Sequence, residues 1–468
     1  MALSPSKLTK PFPEPIPLKK LIGPSFIILA LGLGSGEVIL WPYLASNYGL
    51  GIAWGALLGI SFQYFINMEI ERYALVKGES VFVGIAKIFR VAPYWFIAST
   101  FIGFGLPGII AASAVVVASV IGVEYVSLVG IALLLVIGCI LSSGKTVYGL
   151  MEKLTKTILL VGVPCIFILA LTVATSMDWS ALASGVIGHG EGYRFLPEGI
   201  VLAAFLAAFA YSGAGGNLNL TQSIYVKEKG YGMGKYAERV SGLFREGGVA
   251  EAVHLEGVEF VDNPENRRRF KIWWRRISTE HALVFWFIGA LSILLLMLLS
   301  YATTYGVTDN AEGISFVLHE GAAIGAHITP VLGSLFLVIV GIMLFQTQLG
   351  VMDSTSRIMA ENAAIAYMKK KAVRTVPLSK IYFGFLWAQI AFGILLFAIG
   401  VTEPKSLLIL GACINAFAMF VHVGLVAILN WKALPKFYQP PLWRRILLGL
   451  IFVFFGFFSV VVIYSQLF

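Results

Sequence analysis

Long apolar stretches alternate with short polar segments along this chain, and each stretch is about as long as a membrane-crossing helix. Such a span needs about 20 mostly apolar residues. Segments 22–46, 50–70, 93–120, 126–141, 154–175, 197–225, 280–304, 326–351, 381–401, 405–430 and 445–467 fit that description, hereafter spans 1 to 11. The pattern predicts an all-α polytopic membrane protein with 11 transmembrane helices. Spans 1 and 6 break it. Span 1 reads Leu31-Gly-Leu-Gly-Ser-Gly-Glu37-Val-Ile, with glycines crowded beside a carboxylate at mid-span. Span 6 reads Tyr211-Ser-Gly-Ala-Gly-Gly-Asn217-Leu-Asn219-Leu-Thr221-Gln222. Glycine weakens a helix, and an unsatisfied backbone group in hydrocarbon costs several kcal/mol. Such breaks persist where the backbone lines a cavity or meets a ligand. A close crossing through small residues would explain the glycines, but not Glu37, Asn217 and Asn219 beside them. An ionisable residue inside a span marks a functional site by default.

The two broken spans open two blocks of five. Residues 22–176 form the first block; residues 197–225 (span 6) and 280–431 form the second. An odd number of spans gives the blocks opposite orientation. A broken first helix in each of two inverted halves is the pattern of LeuT-type transporters, whose site lies near mid-membrane at the repeat interface. Outside the blocks lie a tail (1–21), a basic insert (226–279) and a last helix (443–468).

Composition agrees. The chain is 58% hydrophobic and 13% charged, with mean hydropathy +0.85; soluble domains run at roughly 25% charged. The net charge of +9 raises nucleic acid as a partner, but its placement argues for a bilayer. With the N-terminus in the cytoplasm, every Lys and Arg except Arg194 and Lys405 falls on the cytoplasmic side or at its span edges, as the positive-inside rule requires. The expectation is a multi-pass protein of the plasma or inner membrane, N-terminus inside and C-terminus outside, monomeric, without nucleic acid. The tail has no apolar region of its own and reads as cytoplasmic rather than as a cleaved signal. The run Arg267-Arg-Arg-Phe-Lys-Ile-Trp-Trp-Arg-Arg276 predicts an interfacial helix against anionic headgroups. Cys139, Cys165 and Cys413 sit in apolar stretches as packing residues. The sequence shows no phosphate loop, nucleophile triad or Cys/His cluster, so no enzyme and no cofactor are expected.

Several motifs resemble the Nramp family of divalent metal transporters. They are Ile22-Gly-Pro-Ser-Phe and Ala45-Ser-Asn-Tyr-Gly49 in span 1, Phe62-Gln-Tyr-Phe-Ile-Asn-Met-Glu-Ile-Glu-Arg72 with Lys77-Gly78-Glu-Ser after span 2, Gly216-Asn217-Leu218 in span 6, and Asp353-Ser-Thr-Ser-Arg-Ile-Met359 in span 8. The resemblance implies alternating-access import of a metal ion. It also exposes departures. Where the family carries Asp-Pro-Gly-Asn, with metal ligands at both ends, this chain has Gly34-Ser35-Gly36-Glu37. Where the family carries Met-Pro-His-Asn, it has Ala214-Gly215-Gly216-Asn217. The later histidine of that helix aligns with Thr221, and span 3 lacks the family's carboxylates.

Without a thioether, the donors left are oxygens: the Glu37 carboxylate, carbonyls near Gly34 and Gly213 to Gly215, the amides of Asn217 and Asn219, and Gln346 or Gln348. The expected substrate-binding set is Gly34, Glu37, Gly213, Ala214, Asn217, Asn219 and Gln346, with Glu37 and Asn217 on the metal. Oxygen donors suit a hard cation such as Mg²⁺ or Mn²⁺ as the transported substrate. A single carboxylate supplies little charge for a dication. A small organic solute or amino acid, moved by the same architecture without metal, is therefore the alternative. Glu69 with Arg72, and Asp353 with Arg357 at i, i+4, are expected at gates or in coupling, with Thr221. Asn415 and His422 in span 10 are expected to be hydrogen-bonded packing residues.

Overall fold

The computed structural model describes residues 9–18, 21, 23–34, 36–143, 147–238, 253–307, 314–401 and 403–467. Ile22, Ser35, Lys145, the start of the tail and the middle of the basic insert lie outside the described residues. Helices dominate; the only β pairings among the described residues are isolated bridges, such as Thr9 with Glu259. Among the described residues nine helices are long and apolar enough to cross a membrane, or ten if the bent pair Pro24–Gly32 and Gly36–Tyr48 is one span. The expected count of eleven is not reached. Span 6 is the missing one because its halves, Leu202–Ala210 and Thr221–Lys229, are only 9 residues each. The chain is a multi-pass membrane protein whose sixth segment is interrupted.

Burial separates a centre from a rim. In the most apolar windows, Pro330–Lys371 is 67% buried and Leu50–Lys77 61%, against 24% for Thr155–Val173 and 28% for Leu442–Val462. The half-helices are deeper still: all of Pro24–Gly32 is buried. An apolar helix buried all round belongs in the middle of a bundle, and spans 2, 5, 7, 8 and 10 surround the broken pair. Local chemistry sets several ends. Gly78 closes the span 2 helix with φ 66°, the left-handed conformation glycine favours. Ser80 caps the short helix Val81–Ile88. Span 8, Pro330–Lys371, has 42 residues. At about 1.5 Å per residue it far exceeds an approximately 30 Å hydrocarbon core, so its second half projects beyond the first block of apolar residues.

The basic run forms a helix that is continuous with span 7. Pro264–His281 continues through a π turn, Ala282–Phe287, into Ile288–Thr304 of span 7. Its aromatic face is buried, with Trp273 1% exposed, and it covers the N-terminal tail. Trp273 Nε1 donates to Pro13 O at 3.0 Å, Arg276 to Pro15 O and Ile16 O, and Arg269 to Phe12 O. Two arginines expected to face headgroups thus hold main-chain carbonyls of the tail.

Candidate functional site

Span 1 begins as half-helix Pro24–Gly32 (1a), unwinds at Leu33 and Gly34, and resumes as a π turn, Gly36–Leu40, leading into Trp41–Tyr48 (1b). The halves meet at 40°. Span 6 runs as Leu202–Ala210 (6a), unwinds from Tyr211, passes through a 3₁₀ turn, Gly216–Leu220, and resumes as Thr221–Lys229 (6b). Gly213 has φ 143° and Gly215 φ 71°, conformations that residues with a Cβ rarely adopt.

The two breaks press on each other. A Cβ on Gly32 would lie 2.6 Å from the Gly213 backbone, and one on Gly36 would overlap the Tyr211 carbonyl oxygen. The glycines of span 1 therefore serve close approach as well as unwinding. One on Gly34 would collide with Thr347 of span 8. Gly32 and Gly36 thus meet the span 6 break at Gly213 and Tyr211, and Gly34 meets span 8 at Thr347; Ala214 is buried beside Gly213.

Neighbouring side chains satisfy the backbone groups that the breaks release. Gln63 of span 2 bridges the span 6 break: its Nε2 donates to Ala210 O at 2.9 Å, and its Oε1 accepts from Gly215 N at 3.0 Å. Thr347 Oγ1 donates to Ala30 O at 3.0 Å at the end of 1a. Trp41 Nε1 donates to Ser212 Oγ at 2.8 Å, and Asn415 Nδ2 donates to Tyr211 Oη at 2.9 Å. Neither Gln63 nor Thr347 was among the expected site residues. Gln63 was legible as a buried amide one helix away, and Thr347 as the neighbour of Gln346.

Glu37 is fully buried, and neither carboxylate oxygen has a hydrogen-bond partner among the described residues. It faces span 7: a Cβ on Gly289 would lie 3.8 Å from its Oε1, and Ile60 and Leu29 close around the same glycine. Asn217 faces span 3, where its Nδ2 donates to Ser99 Oγ at 2.8 Å and Thr100 Oγ1 at 3.0 Å; its Oδ1 has no partner among the described residues. No hydrogen bond joins Glu37 to Asn217 in this conformation. Asn219 is fully buried with both amide atoms unpartnered among the described residues. Gln346 turns to span 5, donating to Thr155 Oγ1 at 2.8 Å, and lines a small cavity with Ala30, Leu33 and Met343. Gln348 lines another on the far side of the helix, with Tyr211 and Gly411. His422 is buried with neither ring nitrogen bonded among the described residues, so of the span 10 pair only Asn415 is a hydrogen-bonded packing residue.

Four of the five expected gate residues occupy two networks. Asp353 accepts from Arg357 Nε at 2.9 Å, from Tyr225 Oη at 3.1 Å and from Tyr382 Oη at 2.8 Å, while Arg357 Nη1 reaches Glu228 Oε1 at 2.6 Å. This ties span 8 to half-helix 6b and span 9. Glu69 accepts from Arg72 at 2.7 Å and Arg444 at 2.9 Å, and Arg72 lies 3.8 Å over the Trp274 ring. That network faces span 11 and Pro264–His281, away from the breaks. Thr221 Oγ1 bonds its own turn, at Leu218 O. Among the described residues no group of three or more His, Cys, Asp or Glu is placed to hold a metal ion.

This arrangement is a LeuT-type fold. A mutant of the Eremococcus coleocola manganese transporter superposes on the whole chain and on 91% of its own length, with TM-score 0.71 at 13% identity; a second mutant of it gives 0.70 at the same coverage and identity. MhsT in complex with L-phenylalanine covers 94% of this chain and 98% of its own, with TM-score 0.51 at 13% identity. The likeness is one of fold. No family model and no curated protein matches the sequence.

Proposed function

We propose that this protein is a divergent Nramp-type secondary transporter that moves a hard divalent cation, such as Mn²⁺ or Mg²⁺, by alternating access. The observation that carries the reading is Glu37: a buried carboxylate with both oxygens unpartnered among the described residues, on the turn just after one helix break and packed against the other. A buried charge without a partner is costly, and a cation passing the break would supply one. The other donors are the free Asn217 Oδ1, the Asn219 amide, and the carbonyls of Ala30 and Ala210. Those two carbonyls are held by the neutral side chains of Thr347 and Gln63, bonds worth about 1 kcal/mol net each, which a cation can displace. The set is all oxygen and one carboxylate, suited to a hard ion that keeps several waters. The manganese transporter that shares the fold supports the same reading.

The chain acts as a transporter and not an enzyme. It works as a monomer in the plasma or inner membrane, N-terminus inside and C-terminus outside, without nucleic acid or a resident cofactor. The alternative cargo, a small organic solute or amino acid, has the lone carboxylate in its favour but lacks an ionic partner for a substrate carboxylate among the residues at the breaks.

Proteoliposomes loaded with a metal-sensing dye test this. Uptake of Mn²⁺ or Mg²⁺ is expected in the wild type and loss of it in Glu37→Gln. Normal metal flux through Glu37→Gln removes Glu37 from the mechanism, and no flux of either ion in the wild type favours the organic solute.

A further inference from the structure

A second group of buried titratable side chains lies away from the crossing, where spans 1, 2, 6 and 7 meet. Glu71 comes from span 2, Glu280 and His281 from the helix entering span 7, Ser25 from the first turn of 1a and Gln222 from 6b. None is more than 5% exposed. Ser25 Oγ lies 2.5 Å from Glu280 Oε2 and 2.8 Å from His281 Nδ1, and that nitrogen lies 3.5 Å from Glu71 Oε1. Gln222 Nε2 donates to the same Glu71 oxygen. Tyr64 and Phe285 stack on the two faces of the imidazole, with ring centroids 5.6 and 4.8 Å away.

Charge is unbalanced here. Among the described residues no Lys or Arg lies within ion-pair distance of Glu71 or Glu280, and Glu71 Oε2, Glu280 Oε1 and His281 Nε2 have no hydrogen-bond partner. Lys156 and Lys229 act on Glu280 from further off, but both are paired with Glu152. Arg72 is turned to Glu69, and Arg444 faces Tyr64 from span 11 while also binding Glu69. Tyr231 completes the surround and brings no charge of its own. Two carboxylates in a dry site without a counter-ion do not both stay ionised.

The hydrogen bonds allow two arrangements. A hydroxyl has one proton to give. With Glu280 ionised, Ser25 donates to Glu280 and His281 Nδ1–H donates to Ser25. With Glu280 protonated, Glu280 donates to Ser25 and Ser25 donates to His281 Nδ1. Passing from the second to the first moves one proton from Glu280 to Ser25 and one from Ser25 to His281; only O–H and N–H bonds break and form. Gln63, Asn67 and Glu71 lie at i, i+4 and i+8 on one face of span 2, so the row leads from the helix break to this group; Asn67 is buried with both amide atoms free among the described residues.

We propose that Glu71, Glu280 and His281, bridged by Ser25, form a proton-binding site that sets how firmly half-helix 1a is held. The proposal rests on the transporter reading for its role but not for the existence of the site. Ser25 belongs to 1a, which the break at Leu33 and Gly34 frees from 1b, so exchanging the bonds of Ser25 exchanges what holds that half-helix.

Infrared difference spectroscopy of the purified full chain during pH steps tests the site without any transport. A protonated-carboxyl C=O band is expected to titrate in the wild type and to shrink in Glu71→Gln and Glu280→Gln, with Glu37→Gln measured to subtract whatever Glu37 itself contributes. Ser25→Ala, which keeps both acids and loses only a hydroxyl, is expected to shift the band. Bands identical to wild type in the two Glu variants overturn the proposal, and if those variants do not fold, an unshifted band in Ser25→Ala does so. In proteoliposomes a pH gradient of one unit is expected to raise Mn²⁺ accumulation up to about tenfold per coupled proton, and Glu71→Gln to abolish that response while keeping downhill uptake. If the wild type carries no Mn²⁺, the transporter reading fails and the infrared result still decides the proton site.

Discussion

Glu37 and Asp353 are both fully buried carboxylates, and the structure treats them in opposite ways. Asp353 accepts hydrogen bonds from three side chains and is paired with Arg357. Glu37 has no partner among the described residues. A satisfied buried charge fastens elements together; here it ties span 8 to half-helix 6b. An unsatisfied one leaves room for a positive charge to arrive. Depth alone does not distinguish them. The difference lies in what the neighbouring helices present: Arg357 and two tyrosines on one side, Gly289 with Ile60 and Leu29 on the other.

The fastened side is broken most severely by Arg357→Met. That change strands Asp353 and Glu228 without their cation, and removing one partner of a buried pair costs about 3–5 kcal/mol. Thermal unfolding in detergent should show a Tm drop among the largest of any single substitution; an unchanged Tm dissolves the contrast. At the crossing, Gly36→Ala drives a methyl into the Tyr211 carbonyl, an overpacking cost of about 1–3 kcal/mol, and urea titration should register it together with reduced uptake. Thr347→Ala removes the bond to Ala30 O and should cost about 1 kcal/mol, while leaving Asp353→Asn no more and no less harmful than before, since the sites are independent.

The smallest effect sits outside the spans. Burial would raise the pKa of Glu152, but Lys156 and Lys229 outweigh it and hold the carboxyl below its ordinary value. A lowered folded value means the pairing stabilises above the unfolded pKa of about 4.3 and is lost as pH falls through the folded value. Glu152→Gln should therefore lower stability by less than about 1 kcal/mol at pH 7, and that difference should shrink as the pH falls through the folded value. A difference that persists in acid assigns the effect to packing instead.

Much of the fold, including both breaks, was legible in the sequence, and the rest was hidden for definable reasons. Glycine clusters and one carboxylate in apolar runs located both breaks, because few other patterns account for them together. The side Glu37 faces was not legible, since the π turn Gly36–Leu40 shifts the register from that of a regular helix. Gln346 was expected at the site and Thr347 was not considered. One residue of register is about 100° of helix rotation, enough to turn Gln346 to span 5 and bring Thr347 to the break. The contacts of the basic run with the tail were not legible, because Phe12 to Ile16 lie some 250 residues upstream in sequence. A local pattern of arginines and aromatics reads as a headgroup-facing helix whether or not a distant tail covers it. Span 6 was counted as crossing on length, which the unwound middle divides between two short halves.

The central claim is that Glu37 is unpartnered because a cation completes it. Calorimetric titration of Mn²⁺ into purified wild type and Glu37→Gln asks this directly. The account predicts saturable binding in the wild type and none in Glu37→Gln, with Asp353→Asn still binding if it folds. Equal Mn²⁺ affinity in wild type and Glu37→Gln would contradict it.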